Sequence, residues 1–232
     1  MNAQQTLNTT HGLLDTAVQH YMNADYERAL GLFESLASEG DRVAQMWLGA
    51  CHAGGNGVPA SYAEAFAWYL KAAEGGNAQA QTNVGAMLVM GQGCTLDLDS
   101  GLAWLEKAAG AGDCGAQFNL GCLYSMGDQV PQDHAVAATW YLQAAQQGHY
   151  PSQARLGYCY QLGQGVDKNR VQAFVWLSLA AQHGIGSALI QLERVLEQMS
   201  AEEKREAMGQ LDYWRARTPA PASQARLQPM PG

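Results

Sequence analysis

Apolar residues along this chain fall at i, i+3, i+4 and i+7, the spacing of one helical face. AQMWLGACHAGG places Ala44, Trp47, Leu48 and Cys51 in that register, and YAEAFAWYLKAA does the same with Ala65, Trp68, Tyr69 and Ala72. The stretch between them, GGNGVP, is rich in glycine. Glycine enters the left-handed backbone region that ends a helix without a steric penalty. Ser61, Asp97 and Asp133 stand where helix N-caps are expected. Two helices and a glycine turn make one predicted hairpin.

The hairpin recurs every 36 residues. Trp68, Trp104, Trp140 and Trp176 keep the interval, as do Gly40, Gly76, Gly112, Gly148 and Gly184. So do the alanine pairs that begin at Ala72, Ala108, Ala144 and Ala180, and the turn glycines Gly55, Gly91, Gly127 and Gly163. Gly49, Gly85, Gly121 and Gly157 recur inside the first helix of each pair, where glycine costs about 1 kcal/mol relative to alanine. Their recurrence implies that a neighbouring helix comes too close for a side chain. Each Trp is expected to be the plug between one hairpin and the next, a residue that one hairpin cannot cover and a stack can. The fold class is therefore all-α: an α-solenoid, a right-handed superhelix of about 12 helices in helix–turn–helix repeats.

NVGAMLVMGQG, NLGCLYSMGDQV and RLGYCYQLGQGV, each followed by a segment such as AWYLKAAEGG or TWYLQAAQQG, resemble the Sel1-like repeat, a relative of the tetratricopeptide repeat. The resemblance covers four full repeats over residues 41–184. Gln129 replaces the second turn glycine of the third repeat, and His52 and Leu88 stand where later repeats have Tyr124 and Tyr160. Residues 13–40 are closer to an ordinary tetratricopeptide hairpin, with Leu32 at the Trp phase. Residues 1–12 read as a flexible N-terminus and 185–217 as capping helices, in which Ser200 and Glu203 form a capping-box signature. Residues 218–232 hold four of the seven prolines and read as a disordered tail.

Composition narrows the function. No apolar run reaches the length of a membrane span, so membrane insertion is not expected. MNAQQTLNTTHG lacks the charged start and apolar core of a signal peptide. This favours the cytoplasm, or the periplasm if a leader has been removed ahead of Met1. Residues 1–148 hold 14 acidic and 4 basic side chains, and residues 149–232 hold 7 and 9. An acidic body repels a phosphate backbone, which disfavours nucleic acid and suits a partner with a basic surface. Five cysteines cannot form a complete disulfide framework. Cys51 and Cys159 share a phase with Met87 and Leu123, which marks a packing position. Some relatives carry a repeated cysteine pair in each unit and work outside the cytoplasm; no such pair recurs here. HExxH, SxxK, GxSxG and the P-loop are all missing, the histidines share no ligand spacing with the cysteines, and Asp97 and Asp99 lack the other calcium ligands of an EF-hand. No catalytic residue, metal or cofactor is expected.

The resemblance implies that the first helix of each pair lines a concave groove. The matching phases there are Met46, Ala50, Thr82, Asn83, Ala86, Phe118, Asn119, Cys122, Arg155 and Tyr158. With Arg155 as its one charge, this set suits an extended or helical peptide whose backbone the Asn amides can meet. The alternative for Phe118 and Met46 is core packing. The expectation is a non-enzymatic scaffold that binds a protein or peptide, as a bacterial regulatory or signalling adaptor. An immunity-type protein that buries a toxin's active site is the alternative within that class. A repeat-family hydrolase is the rival outside it, and it would need a Ser–Lys or Glu–His pair at facing phases. The oligomeric state is open.

Overall fold

The protein is described by a computed structural model covering the backbone of residues 3–217 and the side chains of residues 12–217, so the proline-rich tail expected to be disordered lies outside the described residues. Among the described residues there are twelve helices and no strand. The chain divides into two compact units, Met1–Ala111 and Gly112–Gly232. The first contains α1 (Ala3–Met22), α2 (Tyr26–Ser38), α3 (Arg42–Gly54), α4 (Tyr62–Glu74), α5 (Ala78–Met90) and α6 (Leu98–Gly110). The second contains α7 (Cys114–Met126), α8 (His134–Gln146), α9 (Tyr150–Leu162), α10 (Arg170–Gln182), α11 (Gly186–Gln198) and α12 (Ala201–Arg217). Because α1 starts at Ala3, the segment expected to be flexible is helical from that residue onward.

The predicted punctuation is in place. Ser61, Asp97 and Asp133 cap α4, α6 and α8 by accepting backbone N–H bonds, and Asp41, Asn77, Asp113 and Asn169 do the same for α3, α5, α7 and α10. Gly55, Gly91, Gly127 and Gly163 end the first helices with φ of 68°, 65°, 77° and 76°, a left-handed turn that suits glycine. Ser200 and Glu203 form the reciprocal capping box at the start of α12, with N···O distances of 2.7 and 3.1 Å.

The glycines inside the first helices are notches. A Cβ on Gly49 or Gly121 would stand 2.5 Å from the ring of Tyr69 or Tyr141. On Gly85 it would meet Leu105 Cγ at 2.7 Å and the Gly101 carbonyl at 2.9 Å, and on Gly157 it would meet Leu177 Cγ at 2.6 Å. The close approach is as expected, but the knob belongs to the hairpin's own second helix and is the residue after the tryptophan. Phe33, Tyr69, Leu105, Tyr141 and Leu177 form this 36-residue series, each no more than 5% exposed.

The expected role of the tryptophans as buried plugs is thereby corrected. Successive helical residues are rotated by about 100°, so each Trp turns out of the notch toward the flank of its helix. Trp68, Trp104 and Trp140 are half-buried. Lys71 Nζ lies 4.1 Å from the ring centroid of Trp68, and Lys107 Nζ lies 4.8 Å from that of Trp104. Trp176 alone of the series is fully buried, because Trp214 of α12 packs on it at 4.8 Å. Gln172 links α10 to α12 beside this contact, accepting from Trp176 Nε1 at 3.2 Å and donating to Gln210 at 2.7 Å. The cap thus departs from the repeat pattern, with α12 packed on α10.

Neighbouring hairpins are joined by a polar link. Gln45, Gln81 and Gln153 occupy one phase, and each donates its amide to the second alanine-phase carbonyl of the preceding hairpin: Ala37 at 3.4 Å, Ala73 at 3.1 Å and Ala145 at 3.2 Å. Each of these carbonyls also accepts the N–H of the turn glycine that follows, Gly40, Gly76 or Gly148, so the glutamine adds a second bond to it from the next hairpin. The Cys51, Met87, Leu123 and Cys159 positions are all buried, as a packing phase requires.

Candidate docking face

The first helices are nearly free of charge. Among Asp, Glu, Lys and Arg, α5 and α7 contain none, α3 contains only Arg42, and α9 contains only Arg155. Of the second helices, α4 and α6 carry charge, including Glu64, Lys71, Glu106 and Lys107, whereas α8 contains none and α10 only Arg170.

In the first unit, three of the expected groove residues are withdrawn. Met46, Ala50 and Thr82 are only 3%, 3% and 8% exposed, so they pack inside and offer a ligand almost no surface. Asn83 and Ala86 are half-buried, and the Asn83 amide nitrogen is buried without a hydrogen-bond partner. An unused donor of this kind is costly to leave dry.

In the second unit, Phe118, Asn119 and Cys122 are half-buried, while Arg155 and Tyr158 are exposed. Phe118 packs against the unit's core, with its ring 6.1 Å from Tyr141 and 5.3 Å from His149. Core packing therefore accounts for part of this residue. The Tyr141 hydroxyl donates to Cys122 Sγ at 3.5 Å, and burial raises the pKa of both groups, keeping them neutral. The charge of Arg155 favours the ionised forms of both groups, but burial outweighs it. His149, whose Nδ1 lies 2.8 Å from Ser152 Oγ, has its pKa lowered to about 4 by burial and is neutral at ordinary pH.

Other chemistry-bearing residues have structural work. The Cys51 thiol is pushed up to about 11, chiefly by burial. Such a thiol is a poor nucleophile. Cys94 stands at the phase of Val58, Val130 and Val166 in the inter-helix loop and donates to the Met87 carbonyl at 3.5 Å. An open cleft of about 740 Å³ between Phe66 and the α5–α6 loop contains Asp97 and Asp99, but Asp97 is committed to the Ser100 N–H at 3.0 Å. Among the described residues no group of three His, Cys, Asp or Glu could hold a metal ion, and no helix is long and apolar enough to cross a membrane.

The profile of the Sel1 repeat matches residues 19–41, 42–77, 78–113, 115–149 and 151–185, so the hairpin expected to be tetratricopeptide-like is itself matched as a Sel1 repeat. The solved structure of a Sel1 repeat protein from Oxalobacter formigenes is 36% identical, with a TM-score of 0.66, over 73% of this chain and 49% of its own length. A protective antigen of uropathogenic Escherichia coli, described as displaying an SLR fold, is 27% identical over 93% of this chain and 55% of its own, with a TM-score of 0.55. This chain thus spans about half the length of those two proteins. An immunity protein from Pseudomonas aeruginosa, 20% identical over 92% of this chain and 89% of its own with a TM-score of 0.55, shares the fold. No curated protein matches the sequence. Notched hairpins, glycine turns at a fixed interval and five matched repeats lead to one conclusion: the chain belongs to the Sel1 repeat family, with that family's solenoid fold.

Proposed function

We propose that this protein is a non-enzymatic scaffold that binds a protein or peptide segment through the exposed surface of its first helices, as a bacterial regulatory or signalling adaptor. The observation that carries this reading is the accessible, almost uncharged face of α7 and α9. The tryptophan flanks of α4 and α6 are capped by Lys71 and Lys107, and that of α10 is covered by α12. By contrast, α7 and α9 present Phe118, Asn119, Cys122 and Tyr158 with a single charge among them. A surface with aromatic anchors and little charge suits a peptide better than a substrate in need of bond cleavage.

The test begins with a pull-down from the native host, followed by calorimetry on the recovered partner. Tyr158→Ala, at an exposed position, is expected to weaken binding by about 1 kcal/mol or more without changing the fold, and Phe118→Ala by at least as much. Binding that ignores both substitutions would remove the site from this face. Recovery of a toxin would instead favour the immunity role.

A further inference from the structure

The tryptophan flanks of the second helices α4, α6, α8 and α10 are not alike. On α4 and α6 the ring lies under the lysine three residues later, Lys71 over Trp68 and Lys107 over Trp104. On α10 the same two phases hold Trp176 and Leu179, both buried, and α12 packs on that helix. On α8 they hold Trp140 and Gln143, and the whole helix lacks Asp, Glu, Lys and Arg. Val136 and Trp140 are half-buried there, while Thr139 and Gln143 are exposed. A helix laid over α4 or α6 would have to bury or displace an ammonium group, which is costly. Over α8 it meets no charge.

The same compact unit shows what such a flank accepts. Ala207, Gln210, Leu211 and Trp214 of α12 fall at i, i+3, i+4 and i+7, one helical stripe. Ala207 and Leu211 are buried in the core that α10 builds, Trp214 lies 4.8 Å from Trp176, and Gln210 accepts from Gln172. Helix α8 presents the tryptophan phase one hairpin earlier, with Val136 in place of Gln172 and His134 in place of Arg170, the partner of Glu203. We propose that the α8 flank is a docking site for an amphipathic helix of a partner protein, laid along α8 as α12 lies along α10. Its apolar stripe places an aromatic side chain on Trp140 and an aliphatic one on Val136, the anchoring mode of helix-in-groove recognition. The site is distinct from the face of the first helices and does not depend on it.

The test uses the full chain and, as probe, a synthetic peptide of residues 200–217 held helical by a lactam bridge on its outer face. The peptide carries Gln210→Leu, because Val136 cannot return the hydrogen bond that Gln172 makes. Calorimetry should show one peptide bound per chain, more tightly than the same peptide with Gln210 kept. In the full chain, Trp140→Ala and Gln143→Lys should each weaken binding about tenfold or more, since an aromatic anchor is lost or a charge is brought in. Gln143→Lys reproduces the lysine that α4 and α6 carry at this phase, so its melting temperature should match the wild type. Absence of binding would overturn the proposal. Binding that survives both variants would put the peptide on α10 in place of α12, and would overturn it too. Self-association of the full chain that Gln143→Lys abolishes would make a second copy the occupant and overturn the assignment to a partner protein.

Discussion

The notch pair is the residue-scale unit of this fold. Leu105 fills the space that Gly85 leaves open, whereas Trp104, one position earlier, lies half in solvent under Lys107. Leu105→Ala is therefore expected to cost about 2–5 kcal/mol, the range for a large buried aliphatic, and Trp104→Ala clearly less. Urea unfolding of the two variants decides the order, and a greater loss at Trp104 would restore it as the plug. His149 makes a second, pH-dependent prediction. In the unfolded chain it takes a proton near pH 6.5, whereas burial holds the folded group near 4. The unfolded state binds more protons between these values, so stability is full above about pH 6.5 and falls as pH drops toward 4. The total loss is up to about 3 kcal/mol. Wild type and His149→Gln, compared by urea midpoint across this window, should converge as pH falls; parallel profiles would show that His149 is not the group responsible.

At the scale of elements, the last repeat shows what the notch does. The phase of Gly49, Gly85, Gly121 and Gly157 is occupied in α11 by Glu193, so α11 has no notch to receive a knob. Helix α12 packs instead along α10, burying Val175, Trp176 and Leu179. On α6 the equivalents of Val175 and Leu179 are Ala103 and Lys107, a polar flank that stays open. Truncation after Arg217 is expected to leave the melting temperature nearly unchanged, since Pro-rich polar segments bury little surface. Truncation after Gln198 removes α12 and should lower it by many degrees, because large apolar side chains of α10 return to water. Equal melting temperatures for the two truncations would mean that α12 is not a structural cap.

For the molecule as a whole, the formal charge of −8 raises the question of which surface carries a partner's affinity. Apolar contacts on the first helices are barely screened by salt, while attraction between exposed charges falls over a Debye length of about 8 Å at physiological ionic strength. Affinity is expected to change little between low and physiological salt. Glu64→Lys or Glu106→Lys, on the second helices, should then hurt less than Tyr158→Ala, with the acidic body acting mainly on the rate of encounter. A steep salt dependence with dominant charge reversals would move the site to the acidic flanks.

The sequence by itself determined the hairpins, their interval and their punctuation, because capping side chains, left-handed glycines and helical periodicity act within a few residues of one another. It also marked Gly85 and Gly121 as close-contact sites, since an unfavourable residue recurred where only a crowded backbone would keep it. Two features were legible there and passed over: the large residue after each Trp, and the glutamine at 45, 81 and 153. A rare tryptophan advertises itself more strongly than the common residue beside it. Tertiary structure decided which of two adjacent apolar side chains enters the notch, since periodicity defines a face more broadly than the 100° between them. It also decided that Met46, Ala50 and Thr82 are buried while Arg155 and Tyr158 face solvent. Burial is set by what another element lays over a residue, and α12 on Trp176 is the plainest case: the same residue at the same phase, covered in one repeat and half-open in the other three.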